Sequence, residues 1–149
     1  MEIEKEIQNA KFKDNYQKAS INIIYTYNWL NSVIKSELEK SKITPQQYNI
    51  LRILRGQHPK PATINIIKER MLDKMSDASR IVDRLVSKEL VTRKVCERDR
   101  RAVDILISEK GLALLAEIKM EEAVNAKLKK NITEEQASQL SELLDAFRG

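Results

Sequence analysis

Arg93, Lys94, Arg98, Arg100 and Arg101 fall within nine residues near the middle of the 149-residue chain. Cations at this density make no bonds by themselves; they bind anions. Arginine's planar fork matches phosphate oxygens and guanine edges with two hydrogen bonds at a time. Just upstream, Arg80 and Arg84 stand four apart in Ser79-Arg80-Ile81-Val82-Asp83-Arg84-Leu85. On a helix that spacing places two side chains at neighbouring positions of one surface. The chemistry within reach is recognition of a polyanion.

Bond-making chemistry finds little support. The chain has one histidine, His58, and one cysteine, Cys96. A zinc site of the usual His/Cys kind cannot be assembled from a single copy. A Ser-His-Asp or Cys-His site would have to use His58, which lies in a loop with Pro59 and Pro61 and has no nucleophile motif beside it. No glycine-rich phosphate loop or dinucleotide fingerprint occurs. No catalytic residue, cofactor or metal is expected. Cys96 has two readings. Arg93, Lys94 and Arg98 surround it, and cations favour a thiolate, so it can serve as an oxidant sensor. Alternatively it is an ordinary strand cysteine, with no resolving partner elsewhere in the chain.

The composition frames these residues. Hydrophobic residues make up 42% and charged residues 33%, which argues against disorder and fits one domain with a real core. No apolar run approaches the roughly 20 residues that span a bilayer. The start, Met1-Glu2-Ile3-Glu4-Lys5, lacks a signal-peptide pattern, so a cytoplasmic protein without a membrane partner is expected. The net charge is +5, but its distribution says more. Residues 1–41 are neutral, residues 42–107 carry fifteen Lys/Arg against eight Asp/Glu for a net +7, and residues 108–149 come to −2. All the excess lies around the basic cluster, an electrostatic footprint for a polyanion.

The positioning elements follow from periodicity and caps. Tyr16, Ile23, Tyr27, Leu30 and Ile34 recur at steps of seven, four, three and four, predicting a long first helix with one apolar stripe. Thr44-Pro45-Gln46-Gln47 predicts the start of a second helix through a capping box and a proline at its first position. Tyr48, Leu51, Ile53 and Leu54 supply that helix's apolar contacts, and Pro59 and Pro61 end it. Thr63 can cap a third helix carrying Ile66, Ile67 and Met71. A fourth begins between Asp73 and Ser76 with the stripe Ala78, Ile81, Val82, Leu85. Ser76, Ser79, Arg80, Asp83 and Arg84 lie largely off that stripe. Leu90–Arg93 and Val103–Ile107 read as paired strands around a polar tip. Ser108 can cap a fifth helix with Leu112, Leu115 and Ile118. Thr133 to Gln136 is a second capping box, opening a last helix with Leu140, Leu143, Leu144 and Phe147. The terminal helices are too apolar along one side to stand alone in water; they need one another or a second copy. A helix followed at once by a basic hairpin is the layout of a winged helix-turn-helix. The predicted fold is mainly α, with about six helices and one β-hairpin wing.

In this order the parts resemble the multiple-antibiotic-resistance regulator (MarR) family of bacterial transcription factors. The resemblance rests on Leu51-x-x-Leu54, Ser79-Arg80-Ile81-Val82-Asp83-Arg84-Leu85, Leu90-Val91-x-Arg93, Asp99-Arg100-Arg101 and Ile107-Ser108-x-x-Gly111. It covers roughly Ile43 to Leu115 by motif and the remainder by helix order. It implies one MarR-type domain over residues 1–149. Residues 1–41 and 108–149 would pair two copies, and 42–107 would form the winged lobe. It further implies a homodimer on a pseudo-palindromic double-stranded DNA operator, usually as a repressor, released by a small aromatic or phenolic effector bound between dimer part and lobe. Two departures are visible. Glu89 stands where the family usually has Gly, a position that often takes a left-handed backbone. Ile107-Ser108 replaces the commoner Leu-Thr.

The resemblance sharpens the candidate DNA contacts: Ser76, Ser79, Arg80, Arg84, Lys94, Arg98, Arg100 and Arg101. It places Arg101 in the minor groove, where narrow A·T-rich DNA concentrates negative potential. Asp99 would hold the wing's shape by pairing with an arginine. Arg80 is favoured for the major groove. Arg84 either joins it or pairs with Asp83, Asp77 or Asp73. Ser76 and Ser79 either contact DNA or cap the helix. Lys94, Arg98 and Arg100 would hold phosphates and add affinity without sequence choice. Tyr16, Tyr27 and Tyr48 either line an effector pocket or pack core and dimer contacts. Two rival functions remain: a dimeric helical module that kept the winged shape and binds protein, and a redox regulator acting through Cys96.

Overall fold

Side-chain caps set most of the helix starts. The computed structural model describes residues 1–8, 11–95 and 103–149. A short α1 (Ile3–Glu6) precedes the long α2 (Asn15–Glu39), whose N-cap Asp14 accepts the Gln17 N–H at 2.8 Å. Thr44 caps α3 (Pro45–Gln57) through a complete capping box with Gln47. Thr63 caps α4 (Ile64–Arg70), Asp77 caps α5 (Ala78–Ser87), and Ser108 caps α6 (Glu109–Glu117). After α7 (Met120–Leu128), Thr133 opens α8 (Glu134–Arg148) with a second complete box. Each of these caps satisfies an N–H that the first helical turn leaves without a partner.

Between α5 and α6 lies one antiparallel hairpin, β1 (Val91–Val95) and β2 (Val103–Ile107), with Val91 opposite Ile107 and Val95 opposite Val103. Ala62 adds an isolated bridge to Ile105, with both N–H···O contacts at 2.9 Å. The hairpin base is thereby tied to the segment that enters α4. The core sits among α3, α5 and the hairpin. Ile50, Leu51 and Leu54 of α3 meet Ala78, Val82 and Leu85 of α5, with Ile105 beneath them. In α5 the stripe falls as periodicity predicts, except that Ile81 is only half-buried. In α3 the deeply buried set includes Ile50, while Tyr48 and Ile53 are partly buried.

Three other elements differ from expectation. Eight helical segments occur among the described residues, against about six expected. The predicted fifth helix stops at Glu117, Ile118 is extended, and α7 follows. Met120 and Val124 turn back to bury in the core against α2, and that burial outweighs continuation of the helix. The α8 helix buries no residue; Leu140, Leu143 and Phe147 remain exposed. Tyr16, Ile24 and Tyr27 of α2 are exposed in the same way.

The turn from α5 to β1 contains Glu89 at φ 62°, the left-handed region that favours glycine. Its carbonyl accepts from Ser108 Oγ at 2.7 Å, and its carboxylate pairs with Lys110 at 2.8 Å. That exposed ion pair holds the carboxyl below its usual range but adds little stability. Glu89→Gly relieves the backbone strain and should raise the thermal midpoint by about 2–4 °C. Calorimetry at fixed protein concentration checks this; a lower midpoint would show that the strain is negligible here.

Candidate nucleic-acid interface

The start of α5 is built by two aspartates that divide the work. Asp77 Oδ1 accepts the Arg80 N–H at 3.2 Å and is the cap. The expected start between Asp73 and Ser76 is therefore too early. Asp73 instead folds the preceding loop: its Oδ1 accepts the Met75 N–H at 3.1 Å and its Oδ2 accepts Ser76 Oγ–H at 2.6 Å. The Ser76 hydroxyl, then the Met75 amide, hold the Asp73 carboxyl below its ordinary value. Behind the loop, the Leu72 N–H donates to Asn49 Oδ1 of α3 at 3.0 Å, and the Lys74 ammonium caps carbonyls of Lys68 and Glu69 at the end of α4. A set of local bonds thus fixes how α5 leaves the lobe.

The outer side of α5 presents the predicted polar residues. Arg80 and Arg84 are exposed and Ser79 is half-buried. Ser76, Asp77, Arg80, Ile81 and Arg84 share one shallow cleft with Thr44 and Gln46 at the N-terminus of α3. Among the described residues Arg84 makes no ion pair with Asp73, Asp77 or Asp83. The partner of Asp83 is Arg93 on β1, a bond that ties the helix to the hairpin. Lys94 is exposed on β1, opposite Asp104. Cys96, Arg98, Asp99, Arg100 and Arg101 lie outside the described residues. Sequence reasoning missed two contributors. A cap choice weighing Asp77 against its own downstream N–H could have found the first. Nothing in the sequence announces the Asp83–Arg93 pair.

A second feature lies behind this face. A cavity of about 640 Å³ opens between α2, α3, the loop before α5 and α7. Tyr27, Leu30 and Ile34 form one wall, Tyr48 and Arg52 another, and Met71, Leu72 and Met120 complete an apolar lining. Arg52 is ion-paired with Glu121, donates to Tyr48 Oη at 3.2 Å and lies 5.8 Å from the Tyr48 ring centroid. Of the three candidate tyrosines, Tyr27 and Tyr48 line this cavity. Tyr16 does not: it sits near the start of α2, about 16 Å further along the axis. Leu72, Asp73 and Lys74 belong both to the cavity wall and to the loop entering α5.

The sequence model of the MarR family matches residues 43–103. The HTH-type transcriptional repressor MdtR of Bacillus subtilis (strain 168) is 31% identical over 112 residues, spanning 71% of this chain and 68% of MdtR. The chain belongs to the MarR family. A second relative, the HTH-type transcriptional regulator MhqR of the same organism, is 29% identical over 92 residues. That match spans 62% of each chain, less than two thirds of MhqR. A solved structure of a MarR variant from E. coli, in complex with operator DNA, superposes with a TM-score of 0.78 at 22% identity. It covers 92% of this chain and 98% of that one. In this MarR-family fold, α4 and α5 are the two helices of the helix-turn-helix and the β1–β2 hairpin is the wing.

Proposed function

We propose that this protein is a sequence-specific DNA-binding regulator of transcription, acting as a repressor in the cytoplasm. The carrying observation is the polar outer face of α5, held in a fixed pose by Asp73, Asp77 and Asn49. It stands in the segment that holds the net +7. MdtR is a transcriptional repressor and MhqR a transcriptional regulator, which supports the same reading. Residues 42–107 form the DNA-reading lobe, and residues 1–41 and 108–149 pair two copies. The exposed apolar residues of α2 and α8 supply that contact, since Tyr16, Ile24, Leu140, Leu143 and Phe147 are left uncovered by the described residues of one chain. Two recognition helices then enter successive major grooves about one helical turn apart, with the wings flanking. Arg80 and Arg84 read the groove, Ser76 and Ser79 assist, and Lys94, Arg98 and Arg100 hold phosphates. Arg101 reaches the minor groove, with Asp99 shaping the tip.

The cavity gives the lobe a control. It is mostly apolar with a few polar groups, as small-molecule sites are. Its lining of Tyr27, Tyr48 and methionines suits an aromatic or phenolic effector. A ligand there bears on Leu72, Asp73 and Lys74, and so on the pose of α5. Binding that favours a pose unable to span both grooves releases DNA by population shift.

Selection from a pool of random duplexes, with wild type and Arg101→Ala side by side, tests this function. A palindromic consensus that weakens in the variant is expected. Absence of any enrichment at moderate salt, for both proteins, would overturn the DNA-reading function and favour the protein-interaction module.

A further inference from the structure

We propose that Met75 is a base-reading residue whose side chain packs on a thymine methyl group; this rests on the DNA-reading function above. Met75 is 94% exposed and sits two residues before the α5 cap. Single exposed apolar residues are common on protein surfaces. This one differs in how its backbone is held. Its own N–H is fixed on Asp73, Ser76 beside it is bonded to the same carboxylate, and Leu72 and Lys74 anchor the loop to α3 and α4. Leu72, exposed in the same loop, lines the cavity; Met75 does not. The loop therefore presents an unbranched apolar side chain to solvent from a rigid support, with no partner among the described residues.

The chemistry of the opposite surface selects the occupant. In the chain Met75 comes just before Ser76 and the cap Asp77, which share a cleft with Arg80, and so leads into the helix whose first residues meet base edges in helix-turn-helix docking. A thioether has no hydrogen to donate and gains nothing from phosphate. The major-groove floor is otherwise donors and acceptors, and the C5-methyl of thymine is its apolar feature. A flexible, polarizable side chain suits contact with such a small apolar group.

The test uses the duplex selected by the wild-type protein. Each thymine is replaced in turn by deoxyuridine, which removes only the C5-methyl, and binding is followed by fluorescence anisotropy for wild type and Met75→Ala. One symmetry-related thymine position is expected where wild type loses affinity about fourfold for each methyl removed. At that position Met75→Ala should bind the two duplexes equally. If every replacement affects both proteins alike, the proposal is overturned while the DNA-reading function stands. If wild type selects no duplex, that function falls and this proposal with it. An unchanged thermal midpoint for Met75→Ala, expected at so exposed a position, confirms that the comparison concerns contact and not folding.

Discussion

Gly111→Ala should destabilise the protein by about 3 kcal/mol or more and lower the thermal midpoint by roughly 10 °C. Within a helix, alanine is ordinarily better than glycine by about 1 kcal/mol. Here sterics win. A Cβ at Gly111 would lie 2.3 Å from the Leu90 carbonyl oxygen and 2.8 Å from Ile107 Cγ1. The carbonyl cannot simply retreat, because it accepts the Ser108 N–H at 3.0 Å. Ser108 in turn caps α6 through the Gly111 N–H and bonds the Glu89 carbonyl. Moving α6 outward would break the joint between α5, the wing and the helix after it. Gly56→Ala is the matched control. Gly56 lies in α3, and among the described residues nothing beyond its own helix turn and chain neighbours would come within 4 Å of a Cβ there, so alanine should raise the midpoint slightly. Thermal unfolding of both variants at equal protein concentration decides the matter. A Gly111→Ala midpoint within about 2 °C of wild type would show that the joint yields without cost.

Of that joint the sequence announced the Ser108 cap, as it did most of the caps, but not the close approach of Gly111 to Leu90. Thr44, Thr63, Ser108 and Thr133 act on N–H groups three residues ahead, so the whole interaction lies within a few letters of sequence. The start of α5 was harder for a physical reason. Asp73, Ser76 and Asp77 are all competent caps, and the choice among them depends on where Asn49 and the end of α4 hold the loop. The break at Ile118 was hidden in the same way. The stripe continues through it locally, and only the burial of Met120 and Val124 against distant segments turns the chain.

The cavity shows the limit most clearly. Tyr16 and Tyr27 share the apolar pattern of α2, yet only Tyr27 reaches the opening, because α3 and α7 cross α2 near its C-terminal half. Met71, Met120 and the Arg52–Glu121 pair come from segments that no local pattern connects. The polar face of α5 could be anticipated because helical periodicity separates it from Ala78, Val82 and Leu85. What sequence could not supply is the sharing of Leu72, Asp73 and Lys74 between cavity and loop. In the effector control proposed above, that sharing is the mechanical route to α5.

If α5 reads bases and β1 holds backbone, the two cations should fail differently. Arg80→Ala should weaken binding to the selected operator by roughly 10- to 100-fold and relax the preference at one base pair per half-site. Arg80 is exposed in the first turn of α5, flanked by Ser76 and Asp77, where base edges are met. Its guanidinium can bond two acceptors of one guanine, and the discrimination disappears with it. Lys94 is a point charge on the wing strand, facing solvent beside Arg93, whose own charge is engaged by Asp83. Lys94→Ala should lower affinity modestly and uniformly across sequences. It should also reduce the slope of log K against log salt by about one for each lysine that releases a counterion. Titration of both variants on the operator, a one-base variant of it and an unrelated duplex, each at several salt concentrations, separates the roles. A uniform loss for Arg80→Ala with a smaller salt slope would make Arg80 a phosphate contact and shift base reading to Arg84. A changed base preference in Lys94→Ala would instead bring the wing strand into the groove.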